Sequence, residues 1–220
     1  MAVKYDCVLF DLDGTLLNSN NLIIESFKHT LITHLNLQVE EKELYQYFGE
    51  PLRTTLARYD AENLESLLHT YRMHYADNHD RLATVFPRVQ EVVNELHNHK
   101  IIMGVVTSKL RAGALKGIEL TGIAGYMKTI VAYEDTEHHK PDPAPVLTAL
   151  SALNHSGEKA LFVGDSPFDW LCAKNAGITS VGVSWSVHLG NNSLEVNPDY
   201  VINNFKELIS ICLDDEVDCG

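Results

Sequence analysis

The stretch VLFDLDGTLL, residues 8–17, carries an apolar run into Asp11 and places Asp13 two positions later, ahead of Gly14 and Thr15. A short continuous apolar run that ends in a polar turn reads as a strand buried on both faces. Two carboxylates at the mouth of such a strand are costly to desolvate. Their purpose has to be sought in the rest of the chain.

The same apolar pattern recurs at residues 101–106, 129–132, 160–163, 179–183 and 200–202. Helical spacing lies between these runs: Val89, Val92, Val93 and Leu96, then residues 110–120 closed near Gly122, then residues 143–153 with Pro143 and Pro145 in the first turn. A helix over residues 168–176 ends at Gly177, and a last helix starts near Phe205. Short strands alternating with helices predict an α/β fold, a Rossmann-like doubly wound parallel sheet. Residues 16–82 break the alternation. Ile23, Phe27, Leu31 and Leu35 recur at helical spacing, residues 40–48 and 54–59 read as helices, and Asn63 reads as the N-cap of a longer one. The expectation is a core of residues 1–15 and 83–220 with an inserted helical cap over residues 16–82. The crossings near residues 16–20 and 82–86 are the expected hinges.

The chain of 220 residues holds 30 acidic and 17 basic residues, for a formal charge of −13. A duplex nucleic-acid partner is not expected, because such proteins carry a basic face. An anionic small substrate would need local cations or a metal. No apolar stretch approaches the ~20 residues of a membrane span. The run at residues 7–10 is too short for a secretory signal. Cys7, Cys172, Cys212 and Cys219 form no C-x-x-C pair and read as free thiols. A cytoplasmic protein is the expectation.

In an open parallel sheet, ligands bind beyond the carboxyl ends of the strands. Asp11 and Asp13 follow the first strand; Thr107, Ser108 and Lys109 follow the second; Gly164, Asp165, Ser166 and Asp169 follow the strand at 160–163. His139-Lys140-Pro141-Asp142-Pro143 lies just before that strand's preceding helix. Several acids at one sheet edge repel one another and call for a cation. An oxygen-only ligand set suits Mg²⁺, and zinc's His and Cys ligands are missing from it. A carboxylate near such a cation can attack phosphorus, and a second can move the proton. A hydroxyl, backbone N–H groups and a lysine can hold phosphoryl oxygens.

DLDGT at 11–15, VVTS at 105–108, HKPDP at 139–143 and GDSPFD at 164–169 resemble, in order, the four motifs of the haloacid dehalogenase superfamily of phosphatases. The helical insert directly after the first motif is similar to the class with an α-helical C1 cap. The resemblance implies Asp11 as nucleophile and Asp13 as general acid/base. It implies Thr107 as phosphoryl contact, with support from the Ser108 amide, and Lys140 as a bridge between Asp11 and phosphate. Asp11, the Asp13 carbonyl and Asp165 are the implied Mg²⁺ site, with Asp169 as a further ligand or as a group supporting the ligands. Asp13 favours phosphoryl transfer over dehalogenation.

LIIxSF at 22–27, GxPL at 49–52, EHxKPDPxPVL at 137–147 and VxW at 183–185 are similar to the inorganic-pyrophosphatase branch of the phosphoglycolate-phosphatase-like group. The expected substrate is pyrophosphate, with phosphoglycolate or another small phosphomonoester as the alternative. A sugar phosphomutase would need more sugar-binding groups than Arg53 alone provides. Ser108, Lys109, Gly49 and Arg53 are the expected substrate-binding residues. Tyr71 and Tyr75 read as helix packing. His69, His74 and His79, spaced by five, do not stack on one helix face. His97-Asn98-His99 sits at a helix end in an acidic chain and does not read as a nuclease site.

Overall fold

The computed structural model describes residues 2–189 and 195–214. Cys219 and most of the acidic tail lie outside these residues, and no structural statement attaches to them. In chain order the first elements are β1 (Ala2–Val3), β2 (Cys7–Phe10), β3 (Leu17–Asn18), α1 (Asn20–Leu35), α2 (Glu41–Tyr45), α3 (Leu52–Ala57) and α4 (Leu64–Leu82). There follow β4 (Thr84–Val85), α5 (Val89–Asn98), β5 (Ile102–Val106), α6 (Arg111–Thr121) and β6 (Met127–Val131). The chain continues through α7 (Ala144–Ala152), β7 (Ala160–Gly164), α8 (Pro167–Asn175), β8 (Thr179–Val183), β9 (Tyr200–Ile202), α9 (Glu207–Cys212) and β10 (Leu213–Asp214).

Six strands form one sheet in the order β6-β5-β2-β7-β8-β9, and every neighbouring pair is parallel. The order reverses at β2: the chain winds outward through β5 and β6, then crosses to β7 on the other side. A crevice opens at such a reversal, beyond the strands' carboxyl ends. All four residues of β2 are fully buried, as are those of β7. That explains their unbroken apolar sequence, since helices cover both faces. Val8 and Phe10 pack in one cluster with α5, α6 and α9; Cys7 and Leu9 face a second with α7 and α8. Burying each such large side chain contributes about 1.5–3 kcal/mol.

The strand that leads into Asp11 is only four residues long, Cys7–Phe10. Ala2 and Val3 leave the main sheet and pair antiparallel with Leu213 and Asp214. Residues 16–82 are not wholly helical either. Leu17 and Asn18 pair antiparallel with Thr84 and Val85, so the two crossings are bonded to each other as a small ribbon. Leu16, Leu17 and Leu22 pack in the same cluster as the sheet, whereas Ile24, Phe27, Leu31, Leu44, Leu56 and Tyr71 form a separate helical cluster. Asn63 starts α4 without capping it through its side chain; its amide donates to Asp60 Oδ2 at 2.8 Å instead. No helix among the described residues is long and apolar enough to cross a membrane.

Candidate active site

Backbone pairing delivers three loops to the crevice. The Asp11 N–H donates to the Val163 carbonyl at 2.8 Å, and the Thr107 N–H donates to the Val131 carbonyl at 2.9 Å. Each bond carries the ladder one residue past its strand and fixes the side chain at the sheet edge. On the third loop, Pro167 occupies the first helical turn of α8 and Ser166 caps it, with Asp169 completing a capping box. Asp169 Oδ2 accepts from the Ser166 N–H at 3.0 Å and from Ser166 Oγ at 2.6 Å. Its other oxygen is thereby left free to face the crevice.

Lys140 lies at the centre of this arrangement. Its Nζ donates to Asp11 Oδ1 at 2.7 Å, to Asp169 Oδ1 at 2.6 Å and to the Val106 carbonyl at 3.2 Å. An ammonium has three N–H donors, and all three are used. The family resemblance implies Lys140 as a bridge between Asp11 and a phosphate; the structure adds Asp169 as a partner that the sequence did not reveal. The Lys140 side chain is 2% exposed. Burial pulls its pKa down, but Asp11 and Asp169 beside it more than reverse this, so the ammonium is held firmly charged.

Asp11, Asp165 and Asp169 bring carboxylate oxygens within 4.8 Å of one another, and all three residues are buried. One ammonium balances three carboxylates there. The deficit shows in the acids. Burial first, then the charges of Asp169 and Asp13, push Asp11 up to about 7 despite the pull of Lys140. Burial and the charges of Asp169 and Asp11 hold Asp165 well above the usual carboxylate range. An all-oxygen, charge-deficient cluster fits a hard divalent cation such as Mg²⁺.

Asp13 is kept apart from this trio. Its carboxylate accepts from Ser19 Oγ at 2.5 Å, and Lys109 Nζ lies 2.7 Å from both its oxygens. Lys109 also donates to the hydroxyl of Tyr75, a residue of α4, and sits 4.3 Å from the centre of its ring. Tyr75, read from sequence as helix packing, therefore reaches the sheet edge that carries Asp11 and Asp13. Nothing in the local sequence around it signals this, because the contact joins residues 34 apart.

Two glycines set the approach of the loops. Gly14 has φ +76°, and a Cβ there would lie 2.1 Å from Asp165 Oδ2. Gly49 has φ +86°, and a Cβ there would lie 2.3 Å from Ser166 Oγ. Gly49 also presents its carbonyl to Ser108 Oγ at 3.1 Å, which ties the helical segment to the loop after β5. Arg53 lines the same cavity, but its guanidinium pairs with Glu65 at 2.6 Å and is 46% exposed. The loop after β8 adds bracing that the sequence reading did not find. Trp185 Nε1 donates to the Gly14 carbonyl at 3.0 Å, and the Ser186 hydroxyl donates to the Asp165 carbonyl. Among the described residues, the histidines of α4 form no metal-binding group: His74 stacks on His29 and His79 is buried in the cavity wall.

The sequence itself matches a known family. The profile of the haloacid dehalogenase-like hydrolases aligns with residues 8–183, from within β2 to the end of β8. This chain belongs to that family. The hydrolase is 43% identical over 217 residues to a relative in Caldanaerobacter subterraneus that carries the name PpaX, covering 97% of this chain and 99% of the relative. It is 37% identical over 204 residues to the pyrophosphatase PpaX of Oceanobacillus iheyensis, covering 93% of this chain and 95% of the relative. Its fold is shared with a crystal structure from Haemophilus somnus described as a predicted phosphoglycolate phosphatase, with a TM-score of 0.86 at 22% identity over 97% of this chain and 100% of that one.

Proposed function

We propose that this hydrolase is a Mg²⁺-dependent pyrophosphatase that works through a phosphorylated Asp11. Asp11 attacks one phosphorus of pyrophosphate, and Asp13 protonates the departing phosphate. Asp13 then takes a proton from the water that cleaves the aspartyl-phosphate. Lys140 keeps Asp11 oriented and joined to Asp169. Thr107 and the Ser108 N–H hold the transferring phosphoryl oxygens. Asp11, Asp165, Asp169 and the Asp13 carbonyl would hold Mg²⁺, which when bound neutralises phosphoryl charge and keeps the nucleophile ionised. The helical segment of residues 16–82 serves as a cap whose Gly49 and Tyr75 meet the core loops.

The observation that carries the chemistry is the separation of the two acids. Asp11 is bonded to Lys140 within the buried trio, whereas Asp13 is bonded to Ser19 and Lys109 outside it. Two acids in different surroundings suit two different tasks. Near full-length similarity to relatives named PpaX supports pyrophosphate as substrate. We place the reaction in the cytoplasm, a reading supported by the free, buried thiols of Cys7, Cys172 and Cys212. Phosphate release from pyrophosphate, phosphoglycolate, glycerol phosphate and glucose 1-phosphate with Mg²⁺ tests the substrate. The expected result is a kcat/KM for pyrophosphate at least tenfold above every ester. Esters turned over as fast as pyrophosphate would overturn this assignment.

A further inference from the structure

The cavity above Asp11 has a volume of about 490 Å³. That falls in the range of about 300–1,000 Å³ that houses organic ligands of drug size. Pyrophosphate, two phosphorus atoms and their oxygens, fills only a fraction of it. Asp11, Asp13 and Thr107, the groups proposed to act on the phosphoryl group, occupy one part of the wall together with Lys109. Much of the remainder is aromatic: Phe27, Tyr47, Phe48, Tyr71, Tyr75 and Tyr133. Ring faces carry negative electrostatic potential and offer nothing to an inorganic polyanion. They suit a flat, neutral ring.

Polar groups stand in the same wall. Arg72 lines the cavity and makes no ion pair among the described residues. His79 is 1% exposed, and its Nε2 has no hydrogen-bond partner among the described residues. Its Nδ1 is 2.9 Å from Asp80 Oδ1, which Lys116 approaches at 3.1 Å. Asp80 can only accept, so Nδ1 carries the hydrogen, and the orphaned Nε2 is the ring's remaining polar atom. A heteroaromatic ring carries donors and acceptors on its edge and stacks through its faces. A simple alkyl phosphate provides neither.

We propose that this site also hydrolyses phosphomonoesters whose alcohol carries a heteroaromatic ring, at the size of a nucleoside 5′-monophosphate. The proposal rests on the phosphoryl-transfer chemistry of the same site and is independent of the assignment of pyrophosphate. Asp11 forms a bond to phosphorus as the ester P–O bond breaks, and Asp13 gives its proton to the departing 5′ oxygen. Water then attacks phosphorus as the Asp11–phosphorus bond breaks and the carboxylate is regenerated, the water's proton passing to Asp13, and the products are nucleoside and phosphate. The aromatic wall acts on the leaving group alone.

Ribose 5-phosphate carries the same ester without the ring and is the deciding control. With full-length enzyme and Mg²⁺, kcat/KM for AMP or UMP should exceed that for ribose 5-phosphate by about tenfold, the scale of stacking one base on an aromatic side chain. In Tyr47→Ala or Tyr133→Ala, with folding checked by circular dichroism, that ratio should fall at least threefold. Asp11→Asn should abolish turnover of nucleotide and pyrophosphate together, which excludes a contaminating phosphatase. A ribose 5-phosphate rate equal to the nucleotide rates would overturn the proposal, as would a ratio unchanged in both tyrosine variants. Pyrophosphate turnover with no nucleotide turnover would overturn it and leave the pyrophosphatase reading standing. Nucleotide turnover without pyrophosphate turnover would do the reverse.

Discussion

Lys140 Nζ lies 2.7 Å from Asp11 Oδ1, in a pair whose side chains are 2% and 7% exposed. Removing one partner of a buried pair leaves the other charge uncompensated and costs about 3–5 kcal/mol. Lys140→Met should destabilise the fold on that scale and reduce kcat by roughly 10²–10³. Lys140→Arg should not restore activity, because a planar fork cannot reproduce three donors aimed from one nitrogen. Thermal melts and steady-state kinetics on both variants check this; a Lys140→Met enzyme with wild-type kcat would contradict it.

The charge deficit of the trio predicts an unusual pH dependence without metal. Folded Asp11 holds its proton up to about 7, against about 3.9 for an unperturbed aspartate. Between those values the folded chain binds more protons than the unfolded chain, so stability falls as pH rises. Asp165 is shifted in the same direction. With EDTA, Tm should therefore decline from about pH 4 to about pH 7 through these groups. Mg²⁺ should raise Tm, and by more at pH 8 than at pH 5. Asp165→Asn should weaken both effects. A magnesium effect independent of pH would contradict the assignment of these acids to the site.

Gly14→Ala should disrupt the same site from the backbone. A Cβ at φ +76° would lie 2.1 Å from Asp165 Oδ2, so strain and displacement of a carboxylate combine. The left-handed conformation alone costs an L residue about 1–2 kcal/mol. The variant should lose at least tenfold in apparent Mg²⁺ affinity, read from the metal dependence of kcat/KM.

Tyr75→Phe removes the hydroxyl that accepts from Lys109. One hydrogen bond of this kind is worth about 0.5–1.5 kcal/mol. The expected loss in kcat/KM is about 3–10-fold, with Tm changed by only a few degrees because the ring remains. Lys109→Ala should lose more, since it also releases Asp13.

The sequence made the core legible because its signals are local. DLDGT, VVTS, HKPDP and GDSPFD each sit directly beside a strand or at a helix start, so periodicity alone places them at one sheet edge. Asp169 shows how one residue serves two readings: it completes the α8 capping box with one oxygen and binds Lys140 with the other. What stayed hidden depends on long-range packing. Tyr75 reaches Lys109 with no motif around it; VxW and GxPL single out Trp185 and Gly49, but neither stretch reveals that Trp185 reaches the Gly14 carbonyl across 171 residues or that Gly49 abuts Ser166. Arg53, attractive in sequence as the cation after GxPL, turns to Glu65.

The most direct test of the account is whether Asp11 becomes phosphorylated. Enzyme quenched in acid during turnover of ³²P-labelled pyrophosphate with Mg²⁺ should retain label on the peptide containing residues 8–17, released by hydroxylamine as an acyl phosphate. Asp11→Asn should show no label and no turnover. Full turnover by Asp11→Asn, or label on another residue, would contradict Asp11 as the nucleophile.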